Sequence, residues 1–198
     1  KFITYPTRFD NRETERALKG SGISVPKLDD YAWRLWDYWE RHLDPDLFVD
    51  RSLKGKVRGK VVLITGGSSG IGLSTAQRVA EAGATTIIVA RGEEELFKAR
   101  DAMKKAGGKV FAYTADLADM ASCDTLVQTV LAEHGHVDIL INNAGRSIRR
   151  SIEASYDRFH DFERTMQLNY FGSIRLIMGF MPKMTERRKG HIINISSI

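Results

Sequence analysis

From residue 60 onward the chain alternates short apolar runs with stretches whose apolar residues recur at helical spacing. The runs 60–65, 85–90, 109–114, 137–141 and 191–195 read as strands. Between them 71–82, 93–106 and 120–133 read as helices, and 156–184 holds one or two more. The strands are mostly apolar along their whole length, the pattern of a parallel sheet covered by helices on both faces. Strand–helix alternation of this kind predicts an α/β fold, a Rossmann-type doubly wound parallel sheet, here truncated after its fifth strand.

The first part of the chain has a different pattern. It carries all three tryptophans and three of the four prolines. A charged helix is predicted over 11–19, stopped by Gly20 and Gly22. A stronger one spans 27–43, where Leu28, Tyr31, Leu35, Trp39 and Leu43 recur at helical spacing beside Trp36, and Asp44-Pro45 ends it. The predicted division is 1–55, a helical connector or the end of a preceding domain in the same polypeptide, and 56–198, a Rossmann domain whose C-terminal part is absent. The aromatic helix packs on its own domain or docks on a neighbouring domain, a subunit or a membrane. Asp29, Asp30, Asp37 and Glu40 among its aromatics favour protein over anionic lipid.

Composition narrows the function classes. The chain has 198 residues, a formal net charge of +5 and one cysteine, Cys123. No internal disulfide can form, which fits a reducing compartment. Cys123 lies in a helical stretch with no histidine near in sequence, so it reads as a structural thiol rather than a nucleophile. No zinc-finger spacing or RNA-binding signature accompanies the basic charge, so no nucleic-acid partner is expected; a phosphate-rich small ligand suits it. His134, His136, His160 and His191 show no metal-ligand spacing, and no metal is expected. No apolar run approaches the ~18–20 residues that span a bilayer. The first ten residues lack a signal-peptide core, and the first residue is Lys1. A cytoplasmic location, at most peripheral to membranes, and an origin in a longer chain are the expectations.

The candidate chemistry begins where the first strand passes into the first helix of the alternating region, in Thr65-Gly66-Gly67-Ser68-Ser69-Gly70-Ile71-Gly72. There Gly66 permits a tight turn, Gly70 lets the backbone approach a pyrophosphate, and Gly72 lets the helix pack close to the strand. The helix starting near Ile71 offers unpaired N–H groups and a positive dipole end to phosphates. The second strand then ends Val89-Ala90-Arg91, with no carboxylate for a ribose 2′-hydroxyl. A guanidinium there can pair with a 2′-phosphate, with the Ser68 hydroxyl assisting, so NADP(H) is favoured over NAD(H). The competing reading leaves Arg91 in solvent and turns Glu93 toward the ribose.

The spacing Thr-Gly-x-x-x-Gly-x-Gly resembles that of the short-chain dehydrogenase/reductase family. Three further segments match in order. Asp116-Leu117 follows the third strand, where the family places an aspartate near the adenine. Asn142-Asn143-Ala144-Gly145 resembles the family's N-N-A-G motif, which lines the cofactor site through Asn143, Ala144 and Gly145. Asn194-Ile195-Ser196-Ser197 ends the last strand, as the catalytic serine segment does. Asn169 matches the asparagine that helps hold a proton-relay water. The resemblance implies a carbonyl reductase with Ser197 as the serine that hydrogen-bonds the carbonyl and Ser196 its neighbour, and a homo-oligomer. Only one of two successive serines on a strand can face the cofactor.

The family's Y-x-x-x-K pair is missing: Tyr113, Tyr156 and Tyr170 are followed four positions on by Leu117, His160 and Ile174. The intact protein is therefore expected to continue beyond Ile198. The segments 143–150 and 157–164 further resemble bacterial fatty acyl-CoA reductases of the short-chain type. That resemblance implies reduction of a fatty acyl thioester to the aldehyde. Arg146, Arg149 and Arg150 then become candidate partners of CoA phosphates, or else a solvated basic loop or subunit contact. Asp157, Asp161 and Glu163 read as helix-surface charges, and Arg187-Arg188-Lys189 as a solvated helix end. Reduction of another carbonyl, such as a 3-oxoacyl thioester, ketone or aldehyde, and a non-catalytic NADP(H)-binding module are the rival readings.

Overall fold

The computed structural model describes residues 10–24, 26–43 and 50–196. The chain forms two compact units, Lys1–Val49 and Asp50–Ile198. In the first, α1 (Arg12–Leu18) and α2 (Leu28–Tyr38) bury no residue, and α2 runs on into a π-helical turn, Trp39–Leu43. Trp33 and Trp36 are each 62% exposed. The expected helix stop at Asp44-Pro45 lies outside the described residues.

The second unit opens with α3 (Leu53–Val57), a single turn too short to show a period, which the Ser52 hydroxyl caps by accepting from the Gly55 N–H. It continues as β1 (Val61–Thr65), α4 (Gly70–Glu81), β2 (Thr85–Ala90), α5 (Glu93–Lys105), β3 (Lys109–Thr114), α6 (Met120–His134), β4 (Ile139–Asn142), α7 (Phe159–Met166), α8 (Ser173–Glu186) and β5 (His191–Asn194). The strands form one parallel sheet in the order β3-β2-β1-β4-β5, the predicted doubly wound arrangement. Local chemistry agrees with the boundaries. Glu93, Glu94 and Glu95 open α5 and Lys104 and Lys105 close it, complementing its dipole. The Asp119 carboxylate caps α6 by accepting from the Ala121 N–H, and Gly135, at φ 74°, ends it.

Alternation along each strand splits the core in two. Val62, Ile64, Ile88, Val110 and Ile141 pack with Ala76, Val79 and Ala80 of α4 and Leu96 and Met103 of α5. Leu63, Ile87, Val89 and Leu140 face the other way, onto Cys123, Leu126 and Val130 of α6 and Leu176, Phe180 and Met184 of α8. Burial of both sheet faces is what the apolar runs required.

Three expectations change. The helical stretch expected within 156–184 spans 159–186 instead, and it is a single run, one of the two expected alternatives: α7 passes through a π-helical turn, Gln167–Gly172, into α8, because the residues at both junctions keep helical dihedrals. β5 stops at Asn194, so Ser196 lies past the strand and the alternation argument does not reach it. Arg187 is not simply solvated. Its Nη1 donates to Asp138 Oδ1 at 2.9 Å, while Asp138 Oδ2 accepts from the Val61 N–H at 2.9 Å and lies 3.2 Å from His136 Nε2. This carboxylate ties the start of β1 and β4 to the end of α8.

Candidate functional site

In an open parallel sheet the ligand crevice lies at the carboxyl ends of the strands where the order reverses. Here the reversal falls between β1 and β4, and the last residue of β1 is bound to the residues that follow β4. Thr65, 1% exposed, accepts through Oγ1 from the N–H groups of Asn143 at 3.0 Å and Ala144 at 2.9 Å. Asn143 Nδ2 returns a bond to the Thr65 carbonyl at 3.0 Å and reaches the Gly66 carbonyl at 3.4 Å. The turn is also tied to β2, since the Gly66 and Gly67 N–H groups both donate to the Val89 carbonyl.

Two glycines are demanded by this geometry. Gly66 sits at φ +68°, and a Cβ there would fall 2.9 Å from Asn143 Nδ2. A Cβ on Gly72 would fall 2.1 Å from the Gly66 carbonyl oxygen, so only a bare backbone lets α4 come this close to the turn. Gly70, at φ +54°, faces open space. Ser69 precedes α4 in extended conformation, and its side chain makes no capping bond, so the leading amides and the dipole end are left for an anion.

Beside this turn lies a cavity of about 250 Å³ lined by Gly66, Ser68, Val89, Ala90, Arg91, Gly92, Ala115, Leu117, Ala144, Gly145 and Leu168. Six residues singled out in the sequence thus meet around one space. Gly70 and Ile71 line a neighbouring open hollow with Ser74, Thr75 and Arg78. A backbone left bare at Gly66 and Gly70, an uncapped helix start and an exposed guanidinium beside a serine fit a phosphorylated nucleotide. Asp116 itself turns into its own loop, where Oδ1 accepts from the Ala118 N–H at 3.0 Å; Ala115 and Leu117 on either side reach the cavity. Leu168 comes from the π-helical turn, a position that no local pattern reveals. A further hollow, an open groove between β3 and α6, holds none of the residues selected for chemistry.

The π-helical turn carries Asn169, and one extra residue per turn is common at functional sites. Its amide is engaged at both ends: Oδ1 accepts from the Arg146 N–H at 2.9 Å and Nδ2 donates to the Arg146 carbonyl at 2.8 Å. The loop after β4 is therefore pinned at its first arginine. Arg146 and Arg149 are exposed. Arg150 is committed elsewhere, because its Nη1 donates to Asp161 Oδ2 at 2.8 Å. Asp161 is not a surface charge: it is 7% exposed, and Arg158 Nε donates to the same oxygen at 2.9 Å. The Arg158 and Arg150 guanidiniums hold its carboxyl below the usual carboxylate range.

Ser197 lies outside the described residues, and Ser196 is exposed. Cys123 is fully buried with Sγ 3.6 Å from the Leu117 carbonyl, and burial, with nearby Asp124 and Asp119, pushes its thiol up to about 11. A neutral, enclosed thiol is a poor nucleophile. Among the described residues no His, Cys, Asp and Glu side chains group as a metal site, and no helix is long and apolar enough to cross a membrane.

The family model for short chain dehydrogenases matches residues 60–198. A fatty acyl-CoA reductase of Acinetobacter baylyi is 56% identical over 150 residues, covering 76% of this chain and 51% of that protein. The chain thus spans about half the length of this relative. Among solved structures, a metagenomic short-chain oxidoreductase in complex with NADP superposes with a TM-score of 0.68 at 31% identity, covering 72% of this chain and 64% of that one. L-sorbose reductase from Gluconobacter frateurii, complexed with NADPH and L-sorbose, gives 0.67 at 36% identity, covering 72% and 54%.

Proposed function

The chain belongs to the short chain dehydrogenase family, and from that premise we propose that it binds NADP(H) and forms part of a reductase that converts a fatty acyl-CoA to the aldehyde. The observation that carries the cofactor assignment is the cavity where Ser68 and Arg91 meet the Gly66 turn at the carboxyl ends of β1, β2 and β4. Arg91 and Ser68 would hold the 2′-phosphate, the amides around Gly70, Ile71 and Gly72 the pyrophosphate, and Ala115 and Leu117 one wall of the adenosine site. The substrate assignment is supported by the 56% identity to a fatty acyl-CoA reductase and by the exposed Arg146 and Arg149 next to Gly145.

When bound, NADPH supplies a hydride to the thioester carbonyl carbon. Ser197 would donate a hydrogen bond to the oxygen on which charge develops, and the carbonyl would re-form as the CoA thiolate departs. Asn169 would keep the rim of the site in place through Arg146. No tyrosine of this chain stands four residues before a lysine, so no residue here is assigned as the general acid. Cys123 takes no part, since direct hydride transfer needs no acyl-enzyme.

The test is NADPH consumption by the full-length protein with acyl-CoA and free aldehyde in parallel, alongside NADPH and NADH titrations. Tighter binding of NADPH than NADH and acyl-CoA-dependent oxidation support the reading. Turnover of ketones or aldehydes without acyl-CoA activity replaces the substrate; NADPH binding without any turnover leaves a cofactor-binding module.

A further inference from the structure

We propose that Asp161 is a positioning residue that fixes the segment 146–150 as a rigid cationic strap at the rim of the cofactor cavity, and that this strap selects thioesters whose carrier bears phosphate. The inference rests on the acyl thioester reading above and adds the residue that orients the substrate's carrier.

Asp161 stands on α7, where Phe159, Phe162 and Met166 are exposed, yet its own exposure is only 7%. A carboxylate removed from water in this way needs charged partners. It finds Arg158, three residues earlier, and Arg150, eleven residues earlier on the loop that follows β4, both on Oδ2; His160 Nε2 lies 3.5 Å from Oδ1. Two guanidiniums share one carboxylate, so the cluster keeps a positive charge.

The same helical run grips the loop a second time, through the Asn169 amide on the Arg146 main chain. The loop is therefore tied at residue 146 and at residue 150 to one rigid element. Gly145, just before the first tie, lines the cavity. Between the ties Arg149 is exposed, and among the described residues neither Arg146 nor Arg149 enters an ion pair. Pinning a backbone whose guanidiniums remain unpaired prepares a site for phosphate oxygens, because little side-chain and loop freedom is left to lose on binding. Arg150 is thus an anchor of the strap rather than its ligand-facing group.

The experiment compares wild type, Asp161→Asn, Arg150→Gln and the double variant in the full-length protein. Substrates are acyl-CoA, the same acyl group on unphosphorylated pantetheine, and free aldehyde; NADPH affinity and amide hydrogen exchange of 146–150 are measured beside them. Each single variant should raise KM for acyl-CoA by at least about tenfold, with kcat, NADPH affinity and both unphosphorylated substrates changed less than about twofold. The double variant should be no worse than either single one, because both break the same tie. Faster exchange of 146–150 in Asp161→Asn is expected. Equal KM increases on all three substrates, or additive variants, would leave Asp161 a merely structural residue. Unchanged exchange of the segment overturns the strap whatever the substrate is. A wild type inactive on acyl-CoA but active on aldehyde defeats the substrate reading, and with it the selection of phosphate, while the exchange result still decides the tie.

Discussion

Thr65 and Asn143 each satisfy the other's backbone: the threonine hydroxyl accepts the Asn143 N–H at 3.0 Å, and the asparagine amide donates to the Thr65 carbonyl at 3.0 Å. This exchange fixes the floor of the crevice at the ends of β1 and β4, where the strand order reverses. Thr65→Val keeps the shape but leaves the Asn143 and Ala144 N–H groups without their acceptor. The expected loss is about 1–3 kcal/mol of stability, with weaker NADPH binding, read by urea unfolding and cofactor titration. Unchanged values in both would remove Thr65 from this role.

Gly72→Ala should be more damaging than Gly70→Ala. The first sets a methyl 2.1 Å from a main-chain oxygen, which cannot swing aside; the second meets nothing within 4 Å and suffers only the φ of +54°. Overpacking of this kind costs about 1–3 kcal/mol and shifts the turn, whereas the left-handed conformation alone costs about 1 kcal/mol. Thermal unfolding of the two variants side by side tests the order.

Arg91→Asp should move cofactor preference from NADPH toward NADH. Loss of a charge-assisted pair with the 2′-phosphate corresponds to about ten- to a hundredfold in NADPH affinity. Fluorescence titrations with both nucleotides measure it; an unchanged ratio would return Arg91 to solvent.

Replacing both Arg146 and Arg149 by glutamine should raise KM for acyl-CoA by at least about tenfold and leave that for free aldehyde nearly unchanged. The pair is exposed, so little stability should be lost. Steady-state kinetics on the two substrates decide it, and equal effects would argue against phosphate recognition.

Asp138 should contribute to acid sensitivity. Burial opposes its ionisation, but the Val61 N–H, the Arg187 guanidinium and His136 outweigh it and hold the carboxyl below its ordinary value of 3.8. A depressed folded value means that its stabilisation is complete above 3.8 and is lost as pH falls through the folded value. Asp138→Asn should therefore be clearly less stable than wild type at neutral pH, with the gap narrowing at acid pH, as pH falls below 3.8. Denaturant midpoints at neutral and acid pH provide the check.

Much of the fold is legible in the amino-acid sequence, for a physical reason. Apolar runs such as Val62–Ile64 and Ile87–Val89 must be covered on both faces, and only a parallel sheet between helix layers does that. Turn chemistry is equally local, so the glycines from Gly66 to Gly72 declare a tight strand-to-helix passage. The short α3 escaped because one turn with a single buried residue, Val57, has no period to detect. The π-helical turn at Gln167–Gly172 escaped because no residue type marks where a helix takes in an extra residue.

By itself, then, the order of residues determined the strand–helix succession, the phosphate-binding turn and the guanidinium at the end of β2, since each depends on neighbours within a few positions. Only the tertiary structure decided that Leu168 shares a cavity with Arg91, that Asp161 is buried under Arg150 and Arg158, and that Asn169 and Arg187 are spent on Arg146 and Asp138. Those outcomes depend on which groups the fold brings together and encloses, and a carboxylate's fate is set by the partners it meets when water is removed.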